Sequence, residues 1–185
     1  MDKKKRIRKY RQPLTYPLRL HLLYYGKIHG QAKLIHLFMA YLCSCIITGQ
    51  MKNKPETLNP NVLNYISWLE LPKYAYVFQH ESHSNHFHRL LGKQSYLVAQ
   101  PLPAVKQDLL TAKNLLHAHY FAYPYGQYND NTINILKEIG IRMAFTTKVG
   151  RVYPGSPEYE LNRNAVYPYT TMRQFMQIVR ISSAK

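Results

Sequence analysis

Short apolar runs with strand character alternate with helix-period segments from Pro55 to Val179, and the connections between them are short. Together these features predict an α/β fold built on a parallel sheet or barrel. In such folds the chemistry gathers at the carboxyl ends of the strands.

In order along the chain, the apolar run Leu34–Thr48 is expected to hold a buried strand or helix, with Ile46-Ile47 closing a short strand before Thr48-Gly49. Asn59-Pro60-Asn61 opens a helix over Val62–Glu70, with Val62, Leu63, Ile66 and Leu69 on one side, and Pro72 stops it. A strand Tyr74–Gln79 follows, then a histidine-rich loop, then a Pro-containing connection over Gly92–Pro103. Val105–Leu116 reads as a helix with Asp108 in its first turn, where the dipole favours a carboxylate. His119–Tyr123 is a strand entering the turn Pro124-Tyr125-Gly126. Asn129 or Asp130 caps a helix over Asn131–Ile139, and Gly140 ends it. Ile141–Thr146 is a strand, Arg151–Glu160 a Pro- and Gly-containing loop, and Thr170 caps a last helix over Thr171–Val179. Before residue 48 the tyrosines and basic residues show no clean period, and the chain divides into a basic, poorly patterned segment, 1–45, and an ordered domain, 46–185.

The chain of 185 residues is 46% hydrophobic and 13% aromatic, which supports one domain with a real core and excludes general disorder. Its net charge of +16 is concentrated at the start, in Lys3, Lys4, Lys5, Arg6, Arg8, Lys9 and Arg11. A basic head of this kind attracts a polyanion such as nucleic acid, anionic lipid or wall polymer; equally, it is what a solvated terminal tail looks like. Cys43 and Cys45 are too close for a loop-closing disulfide and have no CxxC partners, so they support neither a disulfide framework nor a structural zinc site. The run Leu34–Thr48 is short of the roughly 20 residues that span a bilayer, so no transmembrane helix is expected, and no signal peptide is evident.

Four of the nine histidines fall within Gln79–Leu90: His80, His83, His86 and His88. Neutral imidazole is the commonest side-chain ligand for transition metals. The cluster is therefore either a metal site or a polar, histidine-rich surface loop. Glu81-Ser82-His83-Ser84-Asn85 is a poor helix sequence, because Ser and Asn compete for backbone hydrogen bonds. With His83 at the end of a strand, the following loop has room to bring His88 back to the same point. The turn at Tyr125 is expected to face it.

Ser82-His83-Ser84-x-x-x-His88, followed by Phe121-Ala122-Tyr123-Pro124-Tyr125-Gly126-Gln127-Tyr128-Asn129, resembles the NodB-homology polysaccharide deacetylases, carbohydrate esterase family 4. The spacing of the two histidines looks most like the branch that deacetylates poly-N-acetylglucosamine in biofilms. Ala144-Phe145-Thr146-Thr147 with Gly150, and Leu161-Asn162-Arg163, resemble that branch as well. The similarity runs from about Ile46 to Val179 and is strongest from Trp68 onward.

That resemblance implies a partial or distorted (β/α) barrel holding a divalent metal, zinc first among the candidates. His83 and His88 match the histidine ligands, and Tyr125 matches the residue whose backbone N–H helps hold an oxyanion. Tyr123, Pro124 and Tyr128 are expected along a groove for an N-acetylated glycan. Relatives work outside the cytoplasm or at the cell surface. The family's paired-aspartate motif, which supplies a third ligand and a general base, should precede the histidines, yet no aspartate occurs between Asp2 and Asp108. Two imidazoles alone should hold zinc weakly, and losing a base forfeits about 10²- to 10⁴-fold in rate. The expectation is a metal-dependent N-deacetylase that is impaired or inactive, with its first 48 residues degenerate. The alternative is a non-catalytic basic protein binding nucleic acid or an anionic polymer. Of the remaining residues, His80 and His86 are expected in the loop or behind the ligands, Trp68 in a core-facing helix, and Arg163 in a loop contact.

Overall fold

The computed structural model describes residues 20–24, 40–55, 65–76, 78–167 and 169–179. Among these, six strands form one sheet: β1 (Leu20–Tyr24), β2 (Ala40–Ile46), β3 (Phe78–Ser82), β6 (Tyr120–Ala122), β7 (Met143–Phe145) and β8 (Asn164–Val166), in the order β7-β6-β3-β2-β1-β8. A two-residue hairpin, β4 (Leu90–Leu91) with β5 (Gln94–Ser95), stands apart from it. β2, β3, β6 and β7 are mutually parallel, as the alternating pattern predicts, whereas β1 runs antiparallel to both β2 and β8. The carboxyl ends of β2, β3, β6, β7 and β8 therefore share one rim.

The sheet curls almost onto itself. Leu161 forms a parallel bridge with Phe145 beyond β7, and three residues later Asn164 begins the pairing with β1. One short stretch of chain thus touches both edges. Arg163 N donates to Lys148 O at 2.9 Å and holds that seam. The result is the partial barrel expected, with Leu161-Asn162-Arg163 as its closing staple.

Helix α2 (Leu102–Leu116) buries Val105, Asp108, Leu109 and Ala112, one stripe of a 3.6-residue period, and packs on β3 and on α3 (Asp130–Glu138). The main core joins these residues to Phe121, Tyr123, Leu136 and Ala144. Asn129 caps α3 by accepting from Thr132 N at 2.9 Å, and Gly140 ends it with φ +78°, both as the sequence implies.

Other boundaries differ from expectation. The strand placed at Tyr74–Gln79 begins at Phe78, because Pro72 opens a 3₁₀ turn over Leu71–Tyr74. Within the helix expected at Val62–Glu70, Tyr65–Ser67 is irregular and Trp68–Glu70 a turn, while 56–64 lies outside the described residues. Glu70 Oε2 accepts from both Ser67 N and Ser67 Oγ, an arrangement that competes with helix. Trp68 is consequently half-buried on a turn rather than on a core-facing helix. The connection at Gly92–Pro103 holds the turn and second strand of the hairpin and a short helix, α1 (Tyr96–Ala99), capped by Ser95. The last helix, α4 (Met172–Val179), is capped by Thr171, one residue later than expected, since the Thr170 hydroxyl accepts from Tyr167 N instead. The strands β1 and β8 have no counterpart in the sequence-based expectation, and β1 with most of β2 carries the sheet into the segment 1–45. The basic head at 3–11 lies outside the described residues.

Leu136, fully buried in this core, should cost about 3 kcal/mol when truncated to alanine. Asn129→Ala, which removes a cap, should cost about 1 kcal/mol. Leu115→Ala, at an exposed position, should change little; urea denaturation of the three variants measures all of these.

Candidate functional site

Immediately after β3, His83 is gripped from two sides. Its N–H donates to Ile46 O of β2 at 2.9 Å, and its Nδ1 lies 2.6 Å from Ala122 O of β6. A carbonyl accepts only, so Nδ1 carries the proton and Nε2 the lone pair, the tautomer that suits a metal-facing imidazole. The ring is almost wholly buried. Ser84 follows in the left-handed region with φ 78°, a costly conformation for a side chain with a Cβ, and it turns the chain sharply.

Two supports hold the turned chain. The exit of β2 runs alongside it: Thr48 N donates to Ser84 O at 3.2 Å, Gly49 N to Asn85 O at 3.0 Å, and Thr48 Oγ1 to Asn85 Oδ1 at 2.8 Å. From the other side Asp108 on α2 accepts Asn85 N at 2.9 Å and His86 N at 2.7 Å through its two carboxylate oxygens. So clamped, the loop brings the His88 ring to 4.8 Å from that of His83, centroid to centroid. Tyr125 completes the corner, its ring 4.6 Å from His88 and its hydroxyl donating to His88 O at 3.2 Å.

The turn that presents Tyr125 is also strained. Tyr125 takes φ 58°, and Gly126 follows at φ +70°. A Cβ on Gly126 would strike the Thr147 side chain, so glycine is required there for space as well as for conformation. Of the three non-glycine residues with positive φ among the described residues, Ser84 and Tyr125 border this corner.

The buried carboxylates titrate upward. Desolvation raises Asp108 above the usual carboxylate range, against the opposing pull of the His86 and Asn85 amides. It likewise raises Glu81, whose oxygens take the His119 and Tyr120 amides and the Gln79 side chain, tying β3 to the start of β6. His80 faces away from the corner. Its Nδ1 lies 2.6 Å from Ser44 Oγ and its Nε2 3.0 Å from Leu71 O, and burial lowers its pKa.

The structure thus brings together His83, His88 and Tyr125. It does not bring the other groove residues with them: Tyr123 is fully buried in the core, its hydroxyl donating to Tyr159 O at 2.9 Å, and Pro124 is buried too. Tyr128 stacks on Tyr123 and donates to Glu160 Oε2 at 3.0 Å. His86 is exposed and packs against Gly49, where an added Cβ would strike the imidazole. Arg163 is buried at the seam. Asp108 was expected to serve the dipole of its own helix; it instead lies beyond the first turn and serves the histidine loop. Its position one helical repeat from Val105 and Ala112 was the available signal, since a carboxylate in an apolar stripe needs buried donors.

For a divalent metal, the donor set fits in part. Two imidazoles stand side by side, and next to His83 the hydroxyls of Ser82 and Ser84 are buried with no hydrogen-bond partner among the described residues. Yet no group of three His, Cys, Asp or Glu side chains converges among the described residues, whereas catalytic zinc keeps three protein ligands. At the rim of β2, beside His83, the chain presents Ile47, Thr48 and Gly49.

Asp108→Ala should lower stability by roughly 2 kcal/mol in urea denaturation, because it leaves two amides without their acceptor. His80 gives a pH dependence of known sign. Its folded pKa lies below the unfolded value of 6.5, so its contribution is present above that pH and is lost as pH falls through the folded value. The urea midpoint should drop on acidification from neutral pH, and His80→Gln should flatten that slope.

Residues 73–144 match the family model for polysaccharide deacetylase. A poly-beta-1,6-N-acetyl-D-glucosamine N-deacetylase of Staphylococcus epidermidis is 30% identical over 90 residues, which cover 45% of this chain and 31% of that protein. Among solved structures, the Streptococcus pyogenes deacetylase PplD, in complex with acetate, superposes with a TM-score of 0.59 at 18% identity, covering 77% of this chain and 60% of that one. IcaB from Ammonifex degensii gives 0.59 at 20% identity, covering 75% and 61%. The chain therefore spans under a third of the curated relative and about three-fifths of each structural one. Over residues 73–144 the chain is thus similar in sequence to the polysaccharide deacetylases, and its described fold is similar to that of PplD and IcaB.

Proposed function

We propose that the corner formed by His83, His88 and Tyr125 receives an N-acetyl group of an N-acetylglucosamine polymer, and that its hydrolytic power is impaired. The carrying observation is the convergence of two imidazoles and one tyrosine turn, with no carboxylate joining them among the described residues. In support, the Staphylococcus epidermidis relative is a poly-β-1,6-N-acetyl-D-glucosamine N-deacetylase and PplD is a deacetylase.

A divalent metal, zinc by preference, would be held by His83 and His88. When bound, such an ion polarises a carbonyl and makes water acidic. The chain's own residues supply the rest. The Ala122 carbonyl orients His83, Asp108 fixes the loop that carries His88, and the strained Tyr125 turn offers a backbone N–H to the acetamide oxygen. Among the described residues no third His, Cys, Asp or Glu side chain joins His83 and His88 to tighten the ion, and on the β2 side the rim offers Ile47, Thr48 and Gly49 rather than a carboxylate that could act as base.

Zinc titration by calorimetry, with acetate release from N-acetylglucosamine oligomers, tests this. The expected outcome is weak zinc binding that does not survive dialysis and that His83→Ala and His88→Ala each abolish. Acetate release should run on the order of 10²-fold or more below that of an enzyme with its base intact. Stoichiometric zinc retained through dialysis with brisk acetate release would overturn the impairment.

A further inference from the structure

Where β8 ends, the rim carries a second feature that the histidine corner does not use. Tyr167 and Tyr169 stack with ring centroids 5.2 Å apart and planes 3° from parallel, and Tyr169 is 77% exposed. They line an open cleft of about 520 Å³ together with Arg151, Asn164, Gln174 and Gln177. This wall is held in place by its own bonds. Asn164 Nδ2 donates to Gly150 O at 3.0 Å, Gln174 Oε1 accepts from Thr171 N at 2.8 Å, and Tyr167 N donates to Thr170 Oγ1 at 2.8 Å.

The lining has a definite chemistry. It offers an exposed aromatic face, three amide side chains and one guanidinium, with no carboxylate among its residues. A sugar ring matches this set: its C–H face packs on tyrosine, and its hydroxyl and acetamide groups pair with amides. A nucleic-acid strand needs a track of cations for its phosphates, and Arg151 is the single one in this cleft.

Register places the cleft relative to the corner. Val166 pairs with Leu20, Leu20 with Ser44, and Ser44 with His80, so β8 leaves the sheet on the same rim as β3. Three strand spacings separate them, roughly 14 Å along the sheet. A few sugar units span that distance. We propose that the Tyr167–Tyr169 cleft is a distal saccharide subsite, holding the same glycan chain whose N-acetyl group reaches His83 and His88. This rests on the glycan reading of the corner.

The test is binding of a β-1,6-linked N-acetylglucosamine pentasaccharide by calorimetry and saturation-transfer NMR. It compares the full chain with Tyr169→Ala, Gln177→Ala and His88→Ala, with circular dichroism confirming the fold of each. Tyr169→Ala is expected to weaken binding about tenfold, as for one lost stacking face. Gln177→Ala should weaken it less, and the NMR signal of the sugar remote from the His88 end should fade in Tyr169→Ala. Unchanged affinity in Tyr169→Ala with a loss in His88→Ala would overturn the subsite and leave the glycan reading standing. No saccharide binding by the unmodified chain would overturn both. Tyr169-dependent binding of a single-stranded oligonucleotide, without saccharide binding, would assign the cleft to nucleic acid and overturn the proposal.

Discussion

One carboxylate organises the candidate site without facing it. Asp108 takes two successive backbone amides, of Asn85 and His86, and so converts an exit loop into a tight return. Without that grip only the exit of β2 would hold the return, Ser84 would still carry its left-handed backbone, and the amides of Asn85 and His86 would lose their acceptor. The burial that raises the pKa of Asp108 also strengthens its hydrogen bonds, since both effects come from the removal of solvent. Two paired amides offset the cost of placing the charge in the apolar stripe of α2.

The corner is consequently held from three elements. β2 holds His83 by its amide, β6 by its ring, and α2 holds the loop that follows. Strain collects at the two turning points, Ser84 and Tyr125, while the strands and α2 around them are regular. These supports are all hydrogen bonds within the chain, so the placement of His83 and of the loop that carries His88 does not require an ion.

The sequence made the α/β class legible because α2 and α3 carry clean periodicity and because Asn129 and Gly140 punctuate α3 as their chemistry dictates. The approach of His83, His88 and Tyr125 was legible from strand ends and turn residues. The strands β1 and β8 were not: each is short, and each owes its strand character to distant partners, β1 to β2 and β8 and β8 to β1, a long-range cause that no local window contains. Over Tyr65–Glu70 the expected helix gives way for the opposite, local reason: the Ser67 amide and hydroxyl donate to Glu70 Oε2, which outweighs the apolar spacing. Tyr123 was expected at a groove because tyrosine has a polar tip; the core supplied a carbonyl for that tip, and the ring went inside.

The seam at Leu161–Val166 separates the two features of the rim by what each rests on. It unites strands drawn from near the two ends of the described chain, so its loop-closure entropy is among the largest in the fold. Along the chain the supports of the histidine loop from β2, α2 and β6 precede the seam, while the Tyr125 turn takes its own from Phe145 and Thr147. The tyrosine cleft, by contrast, is built from residues of the seam itself and of the helix after it, so it depends on the curl being closed.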